Sequence, residues 1–130
     1  MATEILLNDG GAPARILPFV AAEDVTAGNL LTVDTNGKVQ NANSGDTGYD
    51  FVGIGYALTT ITSGNVASVI TGHGVILNIN AADLGAGIAL MMGTTDGRML
   101  TADNGAGSPK SQAVTLENNS AAGLTRCITV

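Results

Sequence analysis

One cysteine, Cys127, and one histidine, His73, are all that 130 residues provide, and this scarcity removes most enzyme chemistry at the outset. A lone cysteine closes no internal disulfide. Structural zinc takes about four Cys or His ligands, more than the chain possesses. A hydroxyl or thiol nucleophile needs a base within hydrogen-bond reach, and the single imidazole stands between Gly72 and Gly74 in the pattern of a turn. Cys127 lies in an apolar terminal stretch, where it reads as a small buried hydrophobe. Tryptophan is absent and aromatic residues make up 3%, so small and β-branched side chains have to fill the core. Positive charge is also short: five basic residues face eleven acidic ones for a net charge of −6. That sign is wrong for neutralising phosphates or anionic lipid, so no nucleic-acid and no membrane partner is expected. No apolar run reaches the length of a membrane span, and the first residues have neither the basic region nor the apolar stretch of a signal peptide. The chain is therefore expected to be made and kept in a cytosol.

Short motif matches fail on their missing parts. Asp34, Asn36 and Gly37 begin like a calcium loop, but the twelfth-position carboxylate and flanking helices are not there. Gly53-Ile54-Gly55 lacks the third glycine of a dinucleotide fingerprint. The loop acids Glu23, Asp24, Asp46 and Asp50 read as turn-solvating groups. No catalytic, cofactor-binding or metal-ligating residue is assigned, and the chain is expected not to be an enzyme.

What the chain does have is 45% hydrophobic residues and 18 glycines, a composition that folds and turns often. Short apolar strands separated by turn signals predict a single all-β domain, a small barrel or sandwich of short antiparallel strands. Leu30–Val33, Asp34–Gly37 and Lys38–Gln40 form a hairpin with Asn-Gly at its tip. Further strands are expected over 51–58, 65–70, 75–79 and 88–92, with one helical turn at 81–84. The expected core is Leu31, Val33, Val52, Ile54, Val69, Ile76, Met92, Ile128 and Val130.

Residues 1–20 differ from this β-domain of 21–130. Gly10-Gly11, Pro13 and Pro18 break up apolar pieces, which excludes a helix or a central strand. The segment is expected to be an extended N-terminal arm, mobile in solution, that orders on a partner. Its candidate contact residues are Glu4, Ile5, Leu6, Leu7, Arg15, Ile16, Leu17 and Phe19, with the backbone of 4–7 adding to a partner's sheet edge.

The second half echoes the first. Ala27-Gly28, Gly37, Lys38 and Val39 correspond to Ala86-Gly87, Gly97, Arg98 and Met99, and the spacing from Gly28 to Gly87 equals that from Gly64 to Gly123. Two units, about 25–80 and 84–130, suggest a duplicated β-module.

Gly28-Asn-Leu-Leu-Thr-Val-Asp-Thr-Asn-Gly-Lys-Val39, Val52-Gly-Ile-Gly-Tyr-Ala57 and Ser68-Val-Ile-Thr-Gly-His-Gly-Val75 together resemble the small head-decoration, or cement, proteins of tailed bacteriophages. The likeness covers roughly 25–80. From about Ala86 the chain is more similar to Gly-rich phage cement proteins than to lambda-type ones. The resemblance implies a structural virion protein that binds the major capsid protein on the outer surface of the expanded shell, as a homotrimer, and stabilises it. The 1–20 arm matches the capsid-binding segment of such families. Two other readings fit a β-rich chain without an active site: a phage tail or baseplate structural protein, and a small cellular β-binding module.

Overall fold

Frequent glycine turns cut the apolar sequence into eleven strands among the described residues, and no helix forms there. The computed structural model describes residues 5–8, 14–43, 53–82, 85–93, 95–101, 112–119 and 121–130. In chain order the strands are β1 (Leu6–Asn8), β2 (Arg15–Val20), β3 (Leu30–Val33), β4 (Val39–Asn41), β5 (Gly55–Ala57), β6 (Val66–Thr71), β7 (Ile76–Ala81), β8 (Ala89–Met92), β9 (Met99–Thr101), β10 (Ala113–Thr115) and β11 (Gly123–Thr129).

They make two sheets with one plan. The first runs β2-β6-β5-β3-β4; the second runs β7-β11-β10-β8-β9, with β1 added beside β7. Each closes on itself through a parallel bridge, Ala21 to Val39 in the first and Ala81 to Met99 in the second. Ala22 N–H donates to Val39 O at 2.8 Å, and Ala82 N–H donates to Met99 O at 2.9 Å. The architecture is therefore an all-β pair of small five-stranded barrels, and closure removes most of the sheet edge. The capping contacts recur as well: Ala27 N–H donates to Thr60 Oγ1, and Ala86 N–H donates to Asn118 Oδ1. The module boundary falls between β6 and β7, so β7 opens the second unit rather than ending the first, as the expected division at 80–84 had it.

Small side chains fill the first barrel: Ala21, Val25, Leu31, Val39, Ala57, Ala67 and Val69. The second cluster contains Leu77, Ile79, Leu90, Met92, Met99, Ala113 and Cys127, and it also takes in Leu30, Tyr56 and Ile70 from the first sheet. This second cluster joins the modules by burial of apolar surface.

The expected hairpin at 30–41 forms, with a turn that differs in detail. Within this turn Gly37 alone has positive φ, at 79°, and no non-glycine residue among those described has one. Asp34 holds the loop instead, its Oδ1 accepting from Asn36 N–H at 2.8 Å and Lys38 N–H at 2.9 Å. The strand expected over 51–58 shrinks to β5, with residues 51–52 outside the described set. Of the expected helical turn at 81–84, Ala81 belongs to β7 and 83–84 lie outside that set. Leu31, Val69 and Met92 are buried as expected, and Val33 and Ile54 pack at the margin of the first core. Val52 lies outside the described residues. Ile76 and Ile128 are only half-buried and Val130 is exposed, because their neighbours Leu77, Cys127 and Thr129 face inward.

The arm expectation needs the larger correction. Leu6–Asn8 pairs with β7, and all six residues of Arg15–Val20 pair with β6. Both are outer strands, so the prolines and glycines did exclude a central position while leaving an edge position open.

Candidate functional site

β2 is the exposed feature of the fold. Its residues, Arg15-Ile16-Leu17-Pro18-Phe19-Val20, are solvent-exposed except for Phe19, which packs against the first core at its rim. The exposure follows from topology: among the described residues β6 is its one neighbouring strand, apart from the bridge at Ala21. Ala21 N–H donates to Asn65 O at 2.9 Å. Antiparallel alternation then turns the N–H groups of residues 19, 17 and 15 toward β6 and those of 20 and 16 away from it. Pro18 falls on an outward position, where its missing N–H costs no ladder bond.

The second module contains the same edge in an occupied form. Asn78 and Asn80, at the outward positions of β7, donate N–H to Ile5 O at 2.8 Å and Gly28 O at 2.9 Å. β1 lies on the first of these sites. Leu77, in the second core, is fully buried, whereas Leu17, at the matching position of β2, is 37% exposed and its neighbour Ile16 49%. β1, a short antiparallel apolar strand, occupies the edge that is open on β2, where Pro18 stands in place of the Asn78 donor.

The residues singled out in the sequence divide accordingly. Ile5 is buried in the second cluster and Leu6 packs against it, so both are used inside the fold. Leu7 is exposed, as are Arg15, Ile16 and Leu17. Glu4 lies outside the described residues. The structure brings Arg15, Ile16, Leu17 and Phe19 together on one strand and places Leu6 and Leu7 on another sheet. Sequence reasoning missed Val20 and Val66, which extend the exposed apolar surface at the far end of β2. Val66 could have been found from its place at the exposed start of a strand.

A cleft of about 350 Å³ lies beside the start of β2, lined among others by Arg15, Ile54, Tyr56, His73, Gln112 and Thr129. Its polar groups serve the fold. Thr129 Oγ1 accepts from Val75 N–H at 3.0 Å, and Tyr56 Oη donates to Met99 Sδ at 3.7 Å. Burial raises the Tyr56 phenol well above its usual range. Cys127 donates its thiol to Thr125 O at 3.3 Å; burial, and then the charge of Glu117, push it up to about 12. Neither group is ionised at neutral pH. His73 is exposed on the turn joining β6 to β7. Among the described residues no three His, Cys, Asp or Glu side chains gather as a metal site.

A chain of amides crosses between the modules. Asn41 Nδ2 donates to Glu23 Oε2 at 2.7 Å, Asn29 Nδ2 to Asn41 Oδ1 at 2.9 Å, Asn80 Nδ2 to Asn29 Oδ1 at 2.9 Å, and Arg98 Nε to Asn80 Oδ1 at 3.2 Å. It runs from carboxylate to guanidinium with every amide both giving and accepting. This relay sets the register of one barrel on the other.

No protein-family model and no curated protein sequence matches the chain. Solved structures do. The N base of the head fiber gp8.5 of bacteriophage phi29 superposes with a TM-score of 0.64 at 15% identity, over 91% of this chain and 95% of that one. A chain from the capsid of Myoviridae phage XM1 superposes with a TM-score of 0.59 at 16% identity, over 98% of this chain and 91% of that one. The chain shares the fold of these structures over more than nine-tenths of its length.

Proposed function

We propose that this protein is a structural component of a phage head that docks on the outer surface of the expanded capsid as a decoration, or cement, protein. The observation that carries the reading is the unpaired apolar edge of β2 on a fold shared with a head-fiber base and a capsid chain. An extended segment of the major capsid protein adds to β2 at Arg15–Leu17, as β1 adds to β7. Main-chain hydrogen bonds hold it, and Ile16 and Leu17 supply the apolar contact. Arg15 brings the one charge of the strand.

Contact residues drawn from the arm are thus Arg15, Ile16, Leu17 and Phe19, with Leu7 free to contribute from β1. A homotrimer at three-fold positions makes weak contacts effectively intramolecular, and avidity then exceeds one contact by about 10²–10⁴. That strengthens a pressurised shell without covalent chemistry.

The test is co-sedimentation of the purified chain with expanded shells of the phage that encodes it. Wild type pellets with the shells, and Ile16→Asp, at an exposed position, loses at least about tenfold in affinity while keeping its melting temperature. Full shell binding by a folded Ile16→Asp variant would refute the β2 interface. Failure of wild type to bind expanded shells would refute the decoration reading.

A further inference from the structure

The joint between the two modules has a plug and a socket, and the chain carries a second, unmated copy of each. The socket is Gly28, Asn29 and Leu30 of the first module; the plug is Asn80, Gly97 and Leu124 of the second. Leu30 N–H donates to Gly97 O at 2.9 Å and Asn80 N–H donates to Gly28 O at 2.9 Å. Asn80 Nδ2 adds its bond to Asn29 Oδ1 at 2.9 Å. Packing is close: a Cβ on Gly28 would strike Leu124 Cδ2, and one on Gly97 would strike Asn29.

Strand registers identify the counterparts. Val20 pairs with Val66 as Asn80 pairs with Leu124, and Leu30 pairs with Tyr56 as Ala89 pairs with Val114. Gly28 N–H donates to Ala57 O as Gly87 N–H donates to Thr115 O. The first module therefore holds a second plug, Val20, Gly37 and Val66, and the second module a second socket, Gly87, Ile88 and Ala89. Both are open. Val20 is 39% and Val66 57% exposed. Gly37 and Gly87 have nothing within 4 Å of a would-be Cβ, in contrast to Gly97 and Gly28.

We propose that a second copy of this chain repeats the joint between molecules, seating Val20, Gly37 and Val66 of one copy on Gly87, Ile88 and Ala89 of the next. Side-chain chemistry is matched on both halves. Where the internal joint sets amide against amide, Asn80 on Asn29, the intermolecular one sets hydrocarbon against hydrocarbon, Val20 on Ile88. Where Leu124 covers Gly28, Val66 covers Gly87. A change on one half alone would leave a buried amide unpaired. The contact is head to tail, so it closes into a ring in which internal and intermolecular joints alternate, or else runs on as a filament. It uses the Val20 end of β2 and leaves the Arg15–Leu17 edge to the shell.

Sedimentation of the purified chain across a concentration series tests this without any capsid, so failure of shell binding and failure of this joint are separate results. Wild type sediments above the monomer. Val20→Lys combined with Val66→Lys weakens self-association by at least about thirtyfold, the scale of an interface hot spot. Val130→Lys, at an exposed position outside the joint, leaves it unchanged. A monomeric wild type, or a double-lysine variant that assembles normally, overturns the proposal. A cross-link keeps the test decisive if the lysine variant fails to fold. Val20→Cys chains mixed with Ile88→Cys chains form the mixed disulfide on oxidation, with the native Cys127 buried and out of the way. Disulfides only between like chains would overturn the head-to-tail arrangement.

Discussion

Asn29→Ala cuts the relay between the barrels at its middle. The wild-type amide makes two side-chain bonds, giving to Asn41 Oδ1 and accepting from Asn80 Nδ2, each at 2.9 Å, and Asn29 itself is 6% exposed. Each bond contributes about 1 kcal/mol net, and a polar partner left buried and unpaired costs about 1–3 kcal/mol. Asn41 and Asn80 are half-buried rather than sealed, so water partly re-satisfies them. The expected loss is about 2–3 kcal/mol, a large fraction of a small domain's stability. Urea denaturation followed by far-UV circular dichroism measures it. The Asn80→Ala variant and the double variant complete a cycle, and the shared bond predicts that the two losses fall short of additivity by about 1 kcal/mol. A single-variant loss under about 0.5 kcal/mol, or strict additivity, would refute the claim that the relay holds the modules in register.

Leu77→Ala should cost about 2–5 kcal/mol by opening a cavity in the second core, while Val130→Ala, at an exposed site, should stay within about 0.5 kcal/mol of wild type in the same urea titration. Cys127→Val should fold normally, because Val69 occupies the matching position of the first barrel. The raised Cys127 pKa contributes stability below the unfolded value of 9.0 that is lost as pH climbs toward about 12; melting temperatures measured from pH 8 upward should fall less steeply for Cys127→Val than for wild type. Gly97→Ala should destabilise strongly in thermal melts, since a Cβ there meets Asn29 and φ is +70°; Gly37→Ala has the φ penalty without the collision and should cost less.

The parts of the fold legible from sequence were those with local turn chemistry. Asp34 through Gly37 closes the β3–β4 hairpin with its own side chain and one glycine, so no distant contact is needed to place it. The repeat was legible in outline through Gly28, Gly37, Gly87 and Gly97, which occupy equivalent turns. It slipped by one residue at the last strand: matching Gly64 to Gly123 aligns Val69 with Ile128, whereas strand pairing aligns Val69 with Cys127. A one-residue slip exchanges the two faces of a strand, and that is why the expected core took in Ile128 and Val130 and left out Thr125 and Thr129, while Cys127, read as a buried hydrophobe on residue type alone, is buried. β10 was missed because Ala113–Thr115 is too short to show alternation. The candidate surface was legible as apolar residues in the wrong context: Ile16, Leu17 and Phe19 stood out, but whether they formed a free arm or a sheet edge depended on β6, some fifty residues away in sequence.

Pro18 explains how an exposed apolar edge avoids pairing without limit. Its counterpart on the second module, Asn78, supplies the N–H that anchors β1 through Ile5 O. On β2 that donor is missing, so a strand laid along it in the manner of β1 meets a gap at the middle and retains the outward N–H of Ile16 on one side and that of Val20 on the other. An edge interrupted in this way resists open-ended strand stacking, the usual hazard of exposed hydrophobic strands. It also divides β2 into two short contact zones. The zone at Ile16 has room for a partner strand of a few residues, whereas the zone at Val20 adjoins Val66 and copies the geometry by which Asn80 meets the first module. One proline therefore lets the same strand present two different surfaces, one suited to a short extended segment and one suited to a folded neighbour.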